Sequence, residues 1–369
     1  MPSARVNGGG IGALCCAALL RRKGWDVTLC LPSRRKSPTV VLNAVTIQLI
    51  HDIFGDVNYV LRGAHPVNRH YINWGDNRPG EFTPSSGFTL TADVLSTRLF
   101  DLLRWDSRLI IDGESDAESK FDWDVYAANT RRIGNTDISS RRFGQRYAIS
   151  FDVTLRDDVD CTTSFIEATP RGWLFLAPLG QGRAVLQAVV PDEPRNFIAT
   201  TRTLLASTKE IKRNVEEFKL AHRPFAIDCA PEKLSRMHGA NWLATGTAAC
   251  SYDPLCGDGT GYAIRAAILA AAVLEGIDRG TTREGLLTYY KLRISYAFYT
   301  HLRSCVSLYS TASYADIWRG ELDNMEEGIS ALEKELSRMT TNHYRLHEFE
   351  LLPMNRSLRF LRYTDRDSV

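Results

Sequence analysis

Apolar residues fall into three textures along the chain. Residues 6–31, VNGGGIGALCCAALLRRKGWDVTLCL, run from a short apolar segment through a glycine turn and an apolar stretch of helical length to a second apolar segment. This predicts a strand, a turn, a helix over roughly Gly12 to Arg22, a break at Gly24 and a buried strand from Val27 to Leu31. A polar loop follows at Ser33 to Pro38. Thr46 to Phe54 has helical spacing, and His70 to Gly75 reads as a strand closed by a turn. Asp93 to Leu103 reads as an amphipathic helix with Val94, Leu95, Leu99, Leu102 and Leu103 inward. A further strand ends in Asp124 to Arg132.

From about Gly144 the pattern changes to RYAISFDVTL, TTSFIEA, GWLFLAPLG and RAVLQAVV, strands parted by polar turns, which predicts an antiparallel sheet. Leu204 to Lys219 returns to helix. Asn241 to Gly276 reads as strand, glycine loop and long buried helix. After Thr281 the chain reads helical up to about Tyr344, with Leu287, Tyr290, Leu292, Tyr296 and Phe298 at helical spacing. The order predicts an α/β fold: a Rossmann-like domain, an inserted antiparallel β-sheet domain and a C-terminal helical segment.

Composition narrows the partners. With 369 residues, 44% of them hydrophobic, the chain fills its own core, and a net charge of +2 gives no global field for nucleic acid. The eight cysteines contain no C-x-x-C pair and several sit in apolar runs, as reduced thiols of a cytoplasmic protein do. Ile11 to Leu20 resembles the core of a signal peptide, but glycines precede it and no cleavage site follows. Ala263 to Leu274 is apolar apart from Arg265 yet shorter than the ~20 residues of a bilayer span. A buried core helix is expected there, with no membrane span.

The chemistry sits in two glycine motifs. Gly8, Gly10 and Ala13 occupy the G-x-G-x-x-G/A positions of a dinucleotide fold, with Gly12 between them. There the turn must be tight, the backbone must admit a pyrophosphate, and the helix N-terminus must point at it. The second motif is Gly246-Thr247-Ala248-Ala249 followed by Asp253-Pro254-Leu255-Cys256-Gly257-Asp258-Gly259-Thr260-Gly261. No G-x-S-x-G elbow, P-loop or H-E-x-x-H appears, and no spacing of histidines and cysteines marks a metal site, so no metal is expected and no catalytic side chain is assigned.

In this order, the two motifs flanking a β-sheet resemble the flavoprotein monooxygenases of the p-hydroxybenzoate hydroxylase type, and more closely their halogenase-like and reductase-like relatives. The resemblance covers about residues 1–280. It implies an FAD-binding domain in two parts, 1–143 (with a β insertion near 60–90) and 226–280, around a β-sheet substrate domain at 144–225, with a helical region at 281–369. It implies FAD, with NAD(P)H or a partner reductase as electron donor, and hydroxylation of an aromatic or indole-like group through a flavin peroxide adduct. Gly8, Gly10, Gly12 and Ala13 would hold the pyrophosphate, with Arg34, Arg35 or Arg98 at the phosphates. Thr247 would reach the ribityl chain, and Asp253, Pro254, Gly257, Gly259, Thr260 and Gly261 would face the flavin, where a helix N-terminus stabilises the reduced ring.

The sequence departs from the family at Leu31, where an acid would meet the ribose, at Thr247, where G-D-A has Asp, and at Thr91, where an Arg is expected. Each lost charged contact costs about 1.5–3 kcal/mol, which predicts weak FAD binding. The halogenase W-x-W-x-I-P motif stands as Trp173-Leu174-Phe175-Leu176-Ala177-Pro178, making Trp173, Phe175 and Pro178 candidate substrate-lining residues, with Trp173 reading at least equally as a core or sheet-packing aromatic. The halogenase lysine has no counterpart before Trp74. Lone His65 there reads as either a proton carrier or a solvated turn residue. Two alternatives stand beside the small-molecule monooxygenase: a small flavoprotein that modifies a tryptophan of a partner enzyme to build a quinone cofactor, and a non-catalytic protein with a relic flavin fold.

Overall fold

A parallel sheet and a large mixed sheet share one set of helices. The structure is a computed structural model that describes residues 1–31, 39–75, 80–104, 106, 109–112, 120–128, 132–133, 136–219 and 226–359. The parallel sheet runs Trp242–Ala244, Trp123–Tyr126, Ser3–Asn7, Asp26–Cys30, Leu109–Asp112, all neighbours parallel. Val6 pairs with Leu29 on one side and Val125 on the other, so the strand leading into the glycine turn lies inside the sheet. Parallel strands covered on both faces read as continuous apolar runs, which is why VTLC was legible as buried strand.

The helix Ile11–Arg22 is buried from Gly12 to Arg21. It packs against Gly259–Asp278, a second helix rich in alanine, whose Ala267, Ala270 and Ala271 are buried. Small residues on both helices let the backbones approach. The Gly259–Asp278 helix is 20 residues, longer than its apolar run suggested and long and apolar enough by those two measures to cross a membrane. Most of that stretch is buried inside the fold.

Nine strands form the second sheet. The run 147–155, 183–190, 172–180 and 163–169 is antiparallel as expected, but Thr163–Thr169 then pairs in parallel with His65–Asn73, which pairs with Glu81–Leu90 and through it with Val40–Leu42. The β segment near 60–90 is therefore part of the same sheet as the 144–225 strands. Alternation sorts its residues: Trp173 and Phe175 pack into the core shared with the parallel sheet, while Leu174 and Leu176 enter a separate core with Phe151, Phe165 and Leu186.

Several expectations are corrected. Leu204 to Lys219 is not helical throughout: helices Phe197–Ala206 and Glu210–Asn214 are followed by a strand, Val215–Lys219, on the sheet edge. In the Ala92–Leu103 helix Leu95, Leu99 and Leu103 are buried, but Val94 is exposed. Helices Arg283–Ser310 and Arg319–Arg338 form the C-terminal block, yet the chain then turns into a hairpin, Thr340–His347 with Glu350–Arg359, where helix was expected up to Tyr344. The polar loop Ser33 to Pro38, with Arg34 and Arg35, lies outside the described residues.

Candidate functional site

The first glycine motif has the geometry its spacing implies. Gly8 has φ +145°, and a Cβ there would stand 3.2 Å from the Ala13 Cβ and 3.3 Å from the Ala128 nitrogen. Only glycine suits that backbone and that contact. Gly10 is the N-cap, with extended φ −90° and ψ 175° and no side-chain cap, and a Cβ on it would meet nothing within 4 Å. The first-turn N–H groups have no acceptor within the helix. The open space beside Gly10 fits the approach of a pyrophosphate to them.

Gly12 joins the two motifs. A Cβ there would lie 3.5 Å from the Ala263 carbonyl oxygen and 3.7 Å from the Gly246 Cα. Gly246, at φ +53°, starts the short Gly246–Ala249 helix after the strand Trp242–Ala244. The two glycine motifs, far apart in sequence, thus meet beyond the carboxyl ends of the parallel strands Ser3–Asn7 and Trp242–Ala244. Thr247 is exposed there, and its hydroxyl donates to the Ala127 carbonyl at 3.4 Å.

The second loop is a 3-10 turn, Pro254–Cys256, ended by Gly257 at φ +66° and followed by the uncapped start of Gly259–Asp278. Gly259 borders open space and Thr260 is half-buried. Gly261 has another reason to be glycine. A Cβ there would overlap the Asp258 carboxylate and the Thr46 hydroxyl, and that carboxylate forms an ion pair with Arg265. An acid at a helix N-terminus is favourable in itself.

Four of the expected site residues are engaged within the protein. Asp253 is 1% exposed, its carboxylate paired with Arg146 at 2.7 Å, accepting from the Tyr309 hydroxyl at 3.1 Å and from the Leu255 N–H at 2.8 Å. It shapes the loop from inside, with its carboxylate taken up by these partners. Arg98 donates to the Val60 carbonyl at 2.8 Å, tying its helix to Val57–Leu61. Trp173, 2% exposed, donates from its indole to the Tyr309 hydroxyl at 3.2 Å and packs edge-on against Trp74, so it is core. Pro178 is buried, its carbonyl accepting from Thr89, whereas Phe175 is half-buried. Thr91, in place of the expected Arg, caps its helix by accepting the Val94 N–H at 3.2 Å. His65 is held by the Cys161 carbonyl at 2.6 Å.

Leu31, beyond the strand end, is half-buried, and a Cβ on Gly9 would lie 3.4 Å from its Cδ2. An apolar side chain therefore rests on the glycine turn where an acid would reach a ribose. The residues fit FAD at the pyrophosphate and at the loop but lack a charged ribose acceptor at position 31.

One group escaped the sequence reading. Cys256 from the loop and His301 and Cys305 from the Arg283–Ser310 helix bring their donor atoms within 4.8 Å of one another. The signal was the i, i+4 spacing of His301 and Cys305, which puts them on one helix face. A groove of about 1200 Å³ is lined by Tyr296, Tyr299, Arg303, Ser307, Glu333 and Lys334. Neither His301 nor Cys305 lines it, nor does any residue of the two glycine motifs.

No protein-family profile and no curated relative matches the chain. Solved structures do. The flavin-dependent halogenase CmlS superposes with a TM-score of 0.80 at 14% identity, over 97% of this chain and 85% of that one. The peptidyl tryptophan dihydroxylase QhpG, essential for tryptophylquinone cofactor biogenesis, gives 0.72 at 17% identity over 96% and 86%. PqsL of Pseudomonas aeruginosa, a probable FAD-dependent monooxygenase, gives 0.65 at 17% identity over 88% and 99%. The fold is that of the FAD-dependent halogenases and monooxygenases.

Proposed function

We propose that the protein is an FAD-dependent oxidoreductase, a monooxygenase acting on an aromatic or indole-like group. The observation that carries this reading is the convergence of the two glycine motifs: the uncapped helix start at Gly10 is followed by Gly12, which backs onto Gly246 and Ala263, the residues that flank the second loop. The N–H groups after Gly10 would hold the pyrophosphate, Thr247 would reach toward the ribityl chain, and the loop from Pro254 to Thr260 would face the ring. When bound, FAD supplies the redox and oxygen chemistry, and the protein supplies position and electrostatics. NAD(P)H is the proposed electron donor and the cytoplasm the proposed compartment.

A second reading, modification of a tryptophan in a partner protein, is favoured by the likeness to QhpG over nearly the whole chain. Flavin absorbance of the purified protein and equilibrium dialysis against FAD and FMN test the common part. FAD binding in preference to FMN is expected, and equal or tighter FMN binding rejects a dinucleotide site. Absence of any flavin binding returns the chain to a non-catalytic scaffold. NAD(P)H oxidation stimulated by small aromatic compounds supports the first reading, and specific capture of a partner whose tryptophan gains oxygen supports the second.

A further inference from the structure

Cys256, Cys305 and His301 form a cluster that the flavin reading does not use. The sulfurs of Cys256 and Cys305 are 3.8 Å apart, and the Cys305 sulfur is 3.4 Å from the His301 Nε2. Cys305 and His301 are buried, whereas Cys256 is partly open at the end of the loop turn. Tyr252 stacks on Tyr262 with ring centres 4.1 Å apart, and both meet His301 edge-on, so aromatic rings flank the cluster. None of the eight cysteines is in a disulfide.

We propose that Cys256 and Cys305 are a peroxide-reactive thiol pair, Cys256 attacking a hydroperoxide and Cys305 resolving the product to a disulfide. The Cys256 thiolate attacks one peroxide oxygen, so that an S–O bond forms and the O–O bond breaks, and the departing hydroxide or alkoxide takes up the proton that the thiol had released and leaves as water or an alcohol. The Cys305 sulfur then attacks the resulting sulfenic sulfur: the S–S bond forms, the S–O bond breaks, and hydroxide leaves with the Cys305 proton as water. Two thiols lose two electrons, and one peroxide is reduced. Attack through sulfenic acid to a neighbouring thiol is the ordinary course when a reactive cysteine has a resolving partner in contact.

The geometry assigns the roles. Cys256 is the more open of the two and has an immediate partner. A hydrogen bond from the Cys305 thiol, with help from the His301 ring, pulls the Cys256 thiol down, whereas the same hydrogen bond and then burial push Cys305 up. Closing the sulfurs from 3.8 Å to a bond of ~2.0 Å needs only a small shift of the side chains or of the three-residue turn that carries Cys256. The His301 Nε2, which lies 3.4 Å from the Cys305 sulfur, already accepts the Asp253 N–H at 2.8 Å, which leaves that nitrogen no lone pair for a metal. The pair is the better use of these atoms.

The full-length protein, reduced and desalted, is exposed to hydrogen peroxide, blocked with N-ethylmaleimide and mapped by mass spectrometry. A Cys256–Cys305 crosslink reversed by dithiothreitol is expected, forming about ten-fold faster than loss of label at the half-buried control Cys161. In Cys305→Ser a dimedone-reactive sulfenic acid should accumulate at Cys256, and in Cys256→Ser the Cys305 thiol should stay reduced. Loss of Cys256 label no faster than at Cys161, the absence of the crosslink, or stoichiometric zinc that blocks labelling of the cluster would each overturn the assignment. Added peroxide makes the test independent of bound flavin, so its failure leaves the cofactor reading standing.

Discussion

Arg146 and Asp253 meet at 2.7 Å with both side chains at 0% exposure. Arg146 comes from the segment entering the large sheet, and Asp253 opens the second glycine loop. The guanidinium also pairs with Glu321 at 3.0 Å and lies 5.0 Å from the centre of the Tyr309 ring. The Tyr309 hydroxyl bridges Asp253 and the Trp173 indole. Sheet, loop and C-terminal helices are thereby locked together by one buried charge network.

Removing one charge from that network leaves the other buried and unpaired. Arg146→Met is expected to lower stability by about 3–5 kcal/mol, read by denaturant unfolding. A double change to Arg146→Met and Asp253→Asn should recover part of it, since the orphaned carboxylate is gone. Equal losses in single and double variants would place the cost in packing instead.

Gly10 and Gly8 make a controlled contrast. Gly10→Val has an ordinary extended backbone and open space around its Cβ, so the fold should keep its melting temperature while FAD binding is lost. Gly8→Val has a left-handed φ and meets Ala13, so it should lower the melting temperature. FAD titration beside thermal unfolding separates the two, and retained FAD affinity in Gly10→Val would put the cofactor elsewhere.

Leu31→Glu restores an acceptor at the ribose position. Because Leu31 is only half-buried, the carboxylate keeps access to solvent and the stability cost should be small. FAD should bind tighter by about 1.5–3 kcal/mol, or roughly ten- to a hundred-fold. Lower melting with unchanged affinity would show that Leu31 serves packing on Gly9 alone.

Asp160 gives the fold an acid-sensitive turn. Its carboxylate accepts from the Thr162 hydroxyl at 2.7 Å and N–H at 2.9 Å, and pairs with Arg69 at 2.6 Å. The Thr162 hydroxyl first, then its N–H and Arg69, hold its pKa below the usual carboxylate value. A group depressed in the folded state stabilises above its unfolded pKa and loses that contribution as pH falls below about 4. The melting temperature of the native protein should fall more steeply with acid than that of Asp160→Asn, and parallel profiles would remove Asp160 from the explanation.

With reduced flavin, oxygen and halide, no halogenated tryptophan is expected. No lysine precedes Trp74 in that segment, and His65 there is held by a backbone carbonyl. Chlorinated or brominated indole in the product would contradict this.

Local spacing determined the parts of this protein that local physics governs. A strand running into Gly8, Gly10 and Gly12, and an alanine-rich helix after a glycine loop, follow from backbone freedom and small side chains within a few residues, and both are where the sequence placed them. The structure alone decided what depends on partners distant in sequence. Val215–Lys219, with VEEFK, and the Thr340–His347 hairpin strand carry polar patterns that suit helix as well, and a pairing strand made them β. Asp253 read as a cofactor ligand because nothing nearby in sequence shows the buried Arg146 that takes its charge. Trp173 read as either core or substrate-lining because Tyr309, the partner of its indole, lies on a C-terminal helix. The Cys256, His301 and Cys305 cluster likewise needed a loop and a helix to meet. A charge or a thiol draws its chemistry from the groups that desolvate and pair with it, and those are chosen by the tertiary fold.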